Sequence, residues 1–159
     1  MERRQGGFSL IELLIVVTII LIIAAVAIPN LMKTKATANE ASAITSLTTL
    51  NSTSIMYSMT YGGFPHALAD LGPASGSTSP TSAAADLIDS ILASGNKSGY
   101  HIVYAAGATD PNGNVLGYSI VASPITPGTT GTRYFYTDQT GVIRASTAGP
   151  ADKNSTPIG

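Results

Sequence analysis

The chain contains no cysteine and little charge, and both shortages limit what it can be. With no cysteine among 159 residues, no disulfide can form, and the fold must be stabilised by other means. Charged residues make up only 11% of the chain and the net charge is −1, so there is no basic surface for nucleic acid. A surface made mostly of Ser, Thr, Gly and Ala suits subunits that pack side by side.

Motifs of catalysis and cofactor binding are also missing. The sequence has no GxGxxG, P-loop, HExxH or CxxC motif. His66 and His101 have neither metal-ligand spacing nor a nucleophile with a base, so we interpret them as ordinary surface or strand residues. Residues 110–114 (DPNGN) resemble a calcium loop, but a β-turn is the better interpretation. We therefore expect no catalytic residue, no metal ligand, no cofactor and no enzymatic activity.

One long apolar run is present instead, over residues 8–28, and Glu12 is its only charge. A helix rising about 1.5 Å per residue would span roughly 30 Å over this run, the thickness of a bilayer core. Arg3 and Arg4 precede the run, and the positive-inside rule places that end in the cytoplasm. The sequence therefore predicts a single-pass membrane helix near the N-terminus.

Glu12 is the most informative residue of this run. A charge inside hydrocarbon costs roughly 2.5–3.5 kcal/mol on insertion scales, so the carboxylate needs a partner. Cutting the chain between Gly7 and Phe8 would create an α-amino group one helical turn away. Glu12 can then pair with the amine of its own chain or of a neighbouring chain, and the alternative is a carboxylate that only caps its own helix.

Residues 7–17 (GFSLIELLIVV), together with residues 24–30 (AAVAIPN), resemble the N-terminal signature of type IV pilins and of the pseudopilins of type II secretion. The resemblance implies that a prepilin peptidase cleaves between Gly7 and Phe8 and N-methylates Phe8. It also implies polymerisation into a helical filament, in which Glu12 pairs with the Phe8 amine of an adjacent subunit. Thr18 and Leu21 depart from the commonest pattern, which has Ala and Gly there.

The rest of the chain predicts an α+β fold, in which a long N-terminal helix packs on a small antiparallel sheet. Pro29 should kink this helix without ending it, and Gly62 with Gly63 should stop it. The helical face expected to pack on the sheet consists of Ala41, Ile44, Leu47, Ile55 and Met59. Further predicted elements are a helical turn in 64–71, a short helix at 83–93, and strands at 100–105, 115–122, 132–137 and 142–145.

The chain is predicted to consist of five parts. They are a leader peptide (1–7), a transmembrane and filament-core helix (8–30), an amphipathic helix half (31–61), a globular αβ-loop and sheet (62–145), and a flexible tail (146–159). 

Three functions remain open. The preferred one is a subunit of a type IV pilus for adhesion, motility or DNA uptake, because the Asp-rich calcium pattern of major pseudopilins is missing. The alternative is a pseudopilin of type II secretion, and the third is a stand-alone membrane protein that binds a ligand. The expected partners are copies of the chain, the prepilin peptidase, the inner-membrane assembly machinery and membrane lipid. The expected location is the bacterial inner membrane, followed by an extracellular pilus or a periplasmic pseudopilus.

Overall fold

A computed structural model of the chain describes residues 8–74, 76 and 79–158. The leader and Gly7, one side of the predicted cleavage junction, lie outside the described residues. The chain divides between Lys35 and Ala36 into two compact units. A single helix, α1 (Leu10–Tyr61), contributes residues to both of them.

The first unit consists of the start of α1, whose side chains contact little else. Exposed apolar residues cover every side of this stretch, from Leu10, at 81% exposure, to Met32. α1 contains a stretch long and apolar enough to cross a membrane, and none of that stretch is buried within the chain. The Leu and Ala residues of this stretch are good helix formers, and the helix continues through Pro29. The kink predicted at Pro29 stays a prediction.

The second unit buries one face of the remaining helix against a sheet, but the face differs from the predicted one. Leu47 is buried as expected and Ile44 is half-buried, whereas Ile55 and Met59 are 42% and 81% exposed. The buried positions recur every three or four residues: Ala36, Glu40, Ala43, Leu47, Leu50, Ser54 and Tyr57. The predicted face was wrong because it was chosen from apolar residues alone, whereas polar residues occupy two of the buried positions.

The sheet has six antiparallel strands, each paired with the next along the chain, which confirms the predicted α+β class. The strands are β1 (Asn96–Lys97), β2 (Tyr100–Ala106), β3 (Tyr118–Pro124), β4 (Tyr134–Asp138), β5 (Arg144–Ser146) and β6 (Thr156–Pro157). Alternation along β3 turns Ile120 and Ala122 into the core, where Phe135 of β4 is also fully buried. Four of the strands correspond to predicted ones, with shifted ends, and the two-residue strands β1 and β6 were not predicted.

The predicted helix at 83–93 is wrong over most of its length. Only α2 (Ser90–Ala93) is helical, and it begins where the Asp89 carboxylate accepts a hydrogen bond from the Leu92 N–H (2.9 Å). Before it, the N–H groups of Ala85 and Leu87 donate to the carbonyls of Asp70 and Leu71. These carbonyls belong to the 3-10 turn Leu68–Leu71, which matches the helical turn expected in 64–71. Bonds to a neighbouring segment therefore replace the intrahelical ones.

The C-terminal segment also differs from the expected flexible tail. β6 extends the sheet, and the Ile158 N–H donates to the Ile143 carbonyl (2.9 Å). The Arg144 guanidinium donates to the Ser155 carbonyl (3.1 Å), and Ala151 is buried. The edge of β5 thus provides backbone partners for the last residues of the described chain.

Candidate functional site

The predicted assembly site lies at the start of α1. The Ser9 carbonyl accepts the Glu12 and Leu13 N–H groups at 3.1 and 3.2 Å, so Ser9 precedes the first turn and Glu12 lies within it. Partial positive charge at a helix N-terminus favours a carboxylate in this position. Phe8 is 76% exposed and Glu12 is exposed as well. Among the described residues, Glu12 forms no ion pair.

Thr18, one of the two departures from the common motif, is accommodated within the helix. Its hydroxyl donates to the Leu14 carbonyl at 2.8 Å. A hydroxyl that bonds inside its own helix adds little cost in an apolar environment. Thr18 therefore leaves the exposed apolar surface of α1 suited to lipid or to other helices.

Glu40 joins the part of α1 in the second unit to the segment just before β4. This role was not predicted from the sequence. Its Oε1 atom accepts the Thr132 N–H (2.7 Å), the Thr132 hydroxyl (2.8 Å) and the Arg133 N–H (3.2 Å). Its Oε2 atom accepts from the Arg133 Nε (2.7 Å). The side chain of Glu40 is only 7% exposed. Burial opposes its ionisation, but the donors of Thr132 and Arg133 outweigh that effect and lower the pKa of Glu40.

A second buried polar group joins α1 to the sheet. The Asn51 amide donates to the Thr137 hydroxyl (2.9 Å), and its Oδ1 atom accepts from the Tyr118 hydroxyl (3.0 Å). Burial raises the pKa of Tyr118 to about 12, so the phenol stays protonated and able to donate. The only sequence signal for Asn51 and Glu40 was their helical spacing from Ala43 and Leu47, which places all four on one face.

The remaining candidate residues lie apart from one another. Asp110 closes the predicted β-turn: its carbonyl accepts the Gly113 N–H (3.0 Å), and its carboxylate accepts the N–H groups of Asn112 and Asn114 (2.8 Å each). His101 lies on β2 with its Nδ1 atom 3.0 Å from Asn96 Oδ1. In the part of the chain that the structure describes, no group of three His, Cys, Asp or Glu side chains is placed to hold a metal ion.

Comparison with known proteins gives matches to the N-terminal motif and to type II secretion proteins. The family model for the prokaryotic N-terminal methylation motif matches residues 3–28. The type II secretion system core protein G of Dickeya chrysanthemi is 36% identical over 72 residues, which is 45% of this chain and 47% of that protein. The protein of the same name from Aeromonas hydrophila is 34% identical over 64 residues, covering 40% of this chain and 45% of that one.

A third such protein, from Vibrio cholerae serotype O1, is 35% identical over 63 residues, or 40% of this chain and 43% of the relative. The similarity thus spans less than half the length of the curated relatives. No solved structure gives a significant match. The motif match includes the expected cleavage junction and the exposed apolar start of α1. The chain therefore carries the prokaryotic N-terminal methylation motif, and over less than half of its length it is similar to type II secretion system core protein G.

Proposed function

We propose that the chain is a pseudopilin of a type II secretion system, whose filament acts in the export of folded proteins. The observation that carries this proposal is the similarity to proteins named type II secretion system core protein G. The methylation motif alone does not separate pseudopilins from pilins. The similarity therefore supports the alternative function better than the pilus subunit that the sequence analysis preferred.

The first step of this function is processing and membrane anchoring. A prepilin peptidase cleaves between Gly7 and Phe8 and methylates the new amine, and residues 8–30 hold the chain in the inner membrane. Support comes from the motif match at residues 3–28 and from the apolar stretch of α1, which is exposed on all sides. Residues 36–158 then form the globular part on the periplasmic side.

The second step is polymerisation through α1. Its exposed apolar side chains lose contact with lipid and pack against the helices of other copies. Glu12 stands in the first turn without an ion pair among the described residues, and the Phe8 amine of an adjacent copy neutralises it. Such a pair sets the axial offset between neighbouring subunits. The inner-membrane assembly machinery supplies the copies one after another.

Glu12→Val tests the assembly mechanism. The variant should be inserted and cleaved normally but should fail to assemble as the sole subunit, because each contact leaves an ammonium unpaired. Breaking one side of a buried pair typically costs about 3–5 kcal/mol. Filament yield by electron microscopy and membrane abundance by immunoblot are the measurements. Glu12→Asp should give intermediate yields, and Thr18→Val, which removes a polar group already bonded inside the helix, is the matched control.

Normal filaments from Glu12→Val would mean that Glu12 only caps its own helix. The choice between the two branches of the superfamily needs a separate experiment. Deleting the gene from its source organism should retain folded exoproteins in the periplasm, and re-expression should restore their export. If export is normal while motility, adhesion or DNA uptake is lost, the chain is a pilus subunit instead.

A further inference from the structure

A cavity of about 340 Å³ lies at the C-terminal end of α1, in the second unit. Its lining includes Tyr57 and Tyr61 from the helix, Phe64 and His66 from the segment that follows, Asp70 from the 3-10 turn, and Asn114. We propose that this cavity binds a lysine or arginine side chain presented by a partner protein. The site does not depend on the assembly through α1 described above.

The helix end contributes the first feature that favours a cation. α1 has 52 residues and no basic residue in its last turn. A helix C-terminus carries partial negative charge, and no basic side chain of the last turn compensates it here. The Gly62 N–H donates to the Ser58 carbonyl (3.0 Å), and the chain turns away from the helix axis at Gly62. The φ angle of 85° at this residue favours glycine. This turn leaves the helix end beside the cavity.

Asp70 contributes a full negative charge. Its Oδ2 atom accepts the backbone N–H groups of His66 and Ala67, both at 2.9 Å, so the carboxylate is fixed in place. Burial and the nearby charge of Asp70 raise the pKa of Tyr57. Among the described residues, no lysine or arginine lines the cavity or forms an ion pair with Asp70. His66 is the only base in the described lining.

Aromatic rings contribute the third feature. The rings of Tyr57 and Tyr61 have centroids 4.7 Å apart at 45°, and Phe64 packs edge-on against Tyr118 at 5.0 Å. The Tyr57 hydroxyl donates to the Ser82 carbonyl (2.6 Å), which fixes this ring. Aromatic faces beside a carboxylate attract ammonium and guanidinium groups. The cavity is also large enough for the end of one such side chain.

Titration with a basic tripeptide tests the proposal on the full-length protein in detergent micelles. The probe is N-acetyl-Gly-Arg-Gly-amide, and its control carries citrulline, which has the same shape as arginine without the charge. The measurement is the NMR shift of ¹³C-labelled tyrosine rings. The arginine peptide should shift the Tyr57 and Tyr61 signals in a saturable way, and the citrulline peptide should not.

Two variants and one control sharpen the result. Asp70→Asn should weaken binding by up to about fivefold, the effect of losing one charge contact at a partly exposed site. Its amide oxygen can still accept the two backbone N–H groups that Asp70 accepts, so the fold should be retained. His66→Lys should also block the peptide, because it places a cation of the chain itself in the cavity. Asp86→Asn removes a charge from an exposed residue outside the cavity and should bind as the wild type does.

Equal binding of the arginine and citrulline peptides would overturn the proposal, as would unchanged affinity in Asp70→Asn or His66→Lys. Saturable shifts caused by Ca²⁺ but not by the arginine peptide would also overturn it, since the cavity would then be a metal site.

Discussion

Glu40 shows how a single residue can decide where a helix meets a sheet. Its carboxylate accepts four hydrogen bonds from Thr132 and Arg133, and the residue is 5% exposed. Glu40→Gln keeps the shape but removes the charge, and it should lower the free energy of unfolding by about 1–3 kcal/mol. Urea unfolding of the full-length chain in micelles, followed by tyrosine fluorescence, measures this change.

The matched control is the exposed ion pair between Lys97 and Asp89, whose Nζ and Oδ2 atoms are 3.3 Å apart. Lys97→Gln should change the free energy of unfolding by less than about 1 kcal/mol, because exposed pairs are screened by water. If both variants lose the same small amount, Glu40 does not act as a buried anchor.

The pH dependence of stability provides a second test of Glu40. Its pKa in the folded chain lies below the ordinary value of 4.5, because its donors outweigh burial. The unfolded chain therefore binds a proton first as the pH falls, and the stabilisation by Glu40, complete at neutral pH, is lost below about pH 4.5. Urea unfolding between pH 7 and pH 3 should show the wild type and Glu40→Gln converging. A difference that stays constant over this range would contradict the assignment.

At the scale of elements, the two faces of α1 should respond differently to the same truncation. Leu47 is fully buried against the sheet, whereas Ile55 is 42% exposed. Leu47→Ala should cost about 2–5 kcal/mol, because it leaves a cavity in the core. Ile55→Ala should stay within about 0.5 kcal/mol, as exposed substitutions usually do. The urea midpoints of the two variants test which face is buried, and equal losses would contradict the observed orientation.

The elements also show how far the sequence could predict this fold. The apolar run, Gly62 and the turn residues near Asp110 were sufficient to predict α1 to within two residues and an antiparallel sheet after it. The buried face of α1 was predicted wrongly because Glu40 and Ser54 count as polar. Their burial depends on segments far along the chain. The tail and residues 83–89 were misassigned because their hydrogen bonds go to neighbouring segments, which local propensity does not report.

The candidate residues also differ in how far the sequence could identify them. Gly7, Phe8 and Glu12 belong to one contiguous motif, so the sequence alone identifies them as candidates, and their roles stay predictions. The cavity at the end of α1 brings together Tyr57, Asp70 and Asn114, which no local pattern connects.

At the scale of the whole molecule, processing should define the mature chain. We expect protein isolated from membranes or sheared filaments to begin at Phe8 and to carry one N-methyl group. Intact-mass measurement and N-terminal sequencing test this, and Gly7→Ala is expected to leave uncut precursor in the membrane. A native chain that still starts at Met1, or that is cut after Ala25, would contradict the predicted junction.

The partners of the buried polar groups on α1 also have a consequence for synthesis. Asn51 and Glu40 bond to residues 67–93 positions later in the chain. At about 5–20 residues per second, a ribosome needs roughly 3–20 s to reach those partners after it has added Glu40 or Asn51. Throughout that interval the polar groups on the inner face of the helix lack these hydrogen-bond partners. A product that stops before Thr132 never acquires the donors for Glu40, so only a nearly finished chain can close its fold, and early termination leaves a species that proteases can recognise.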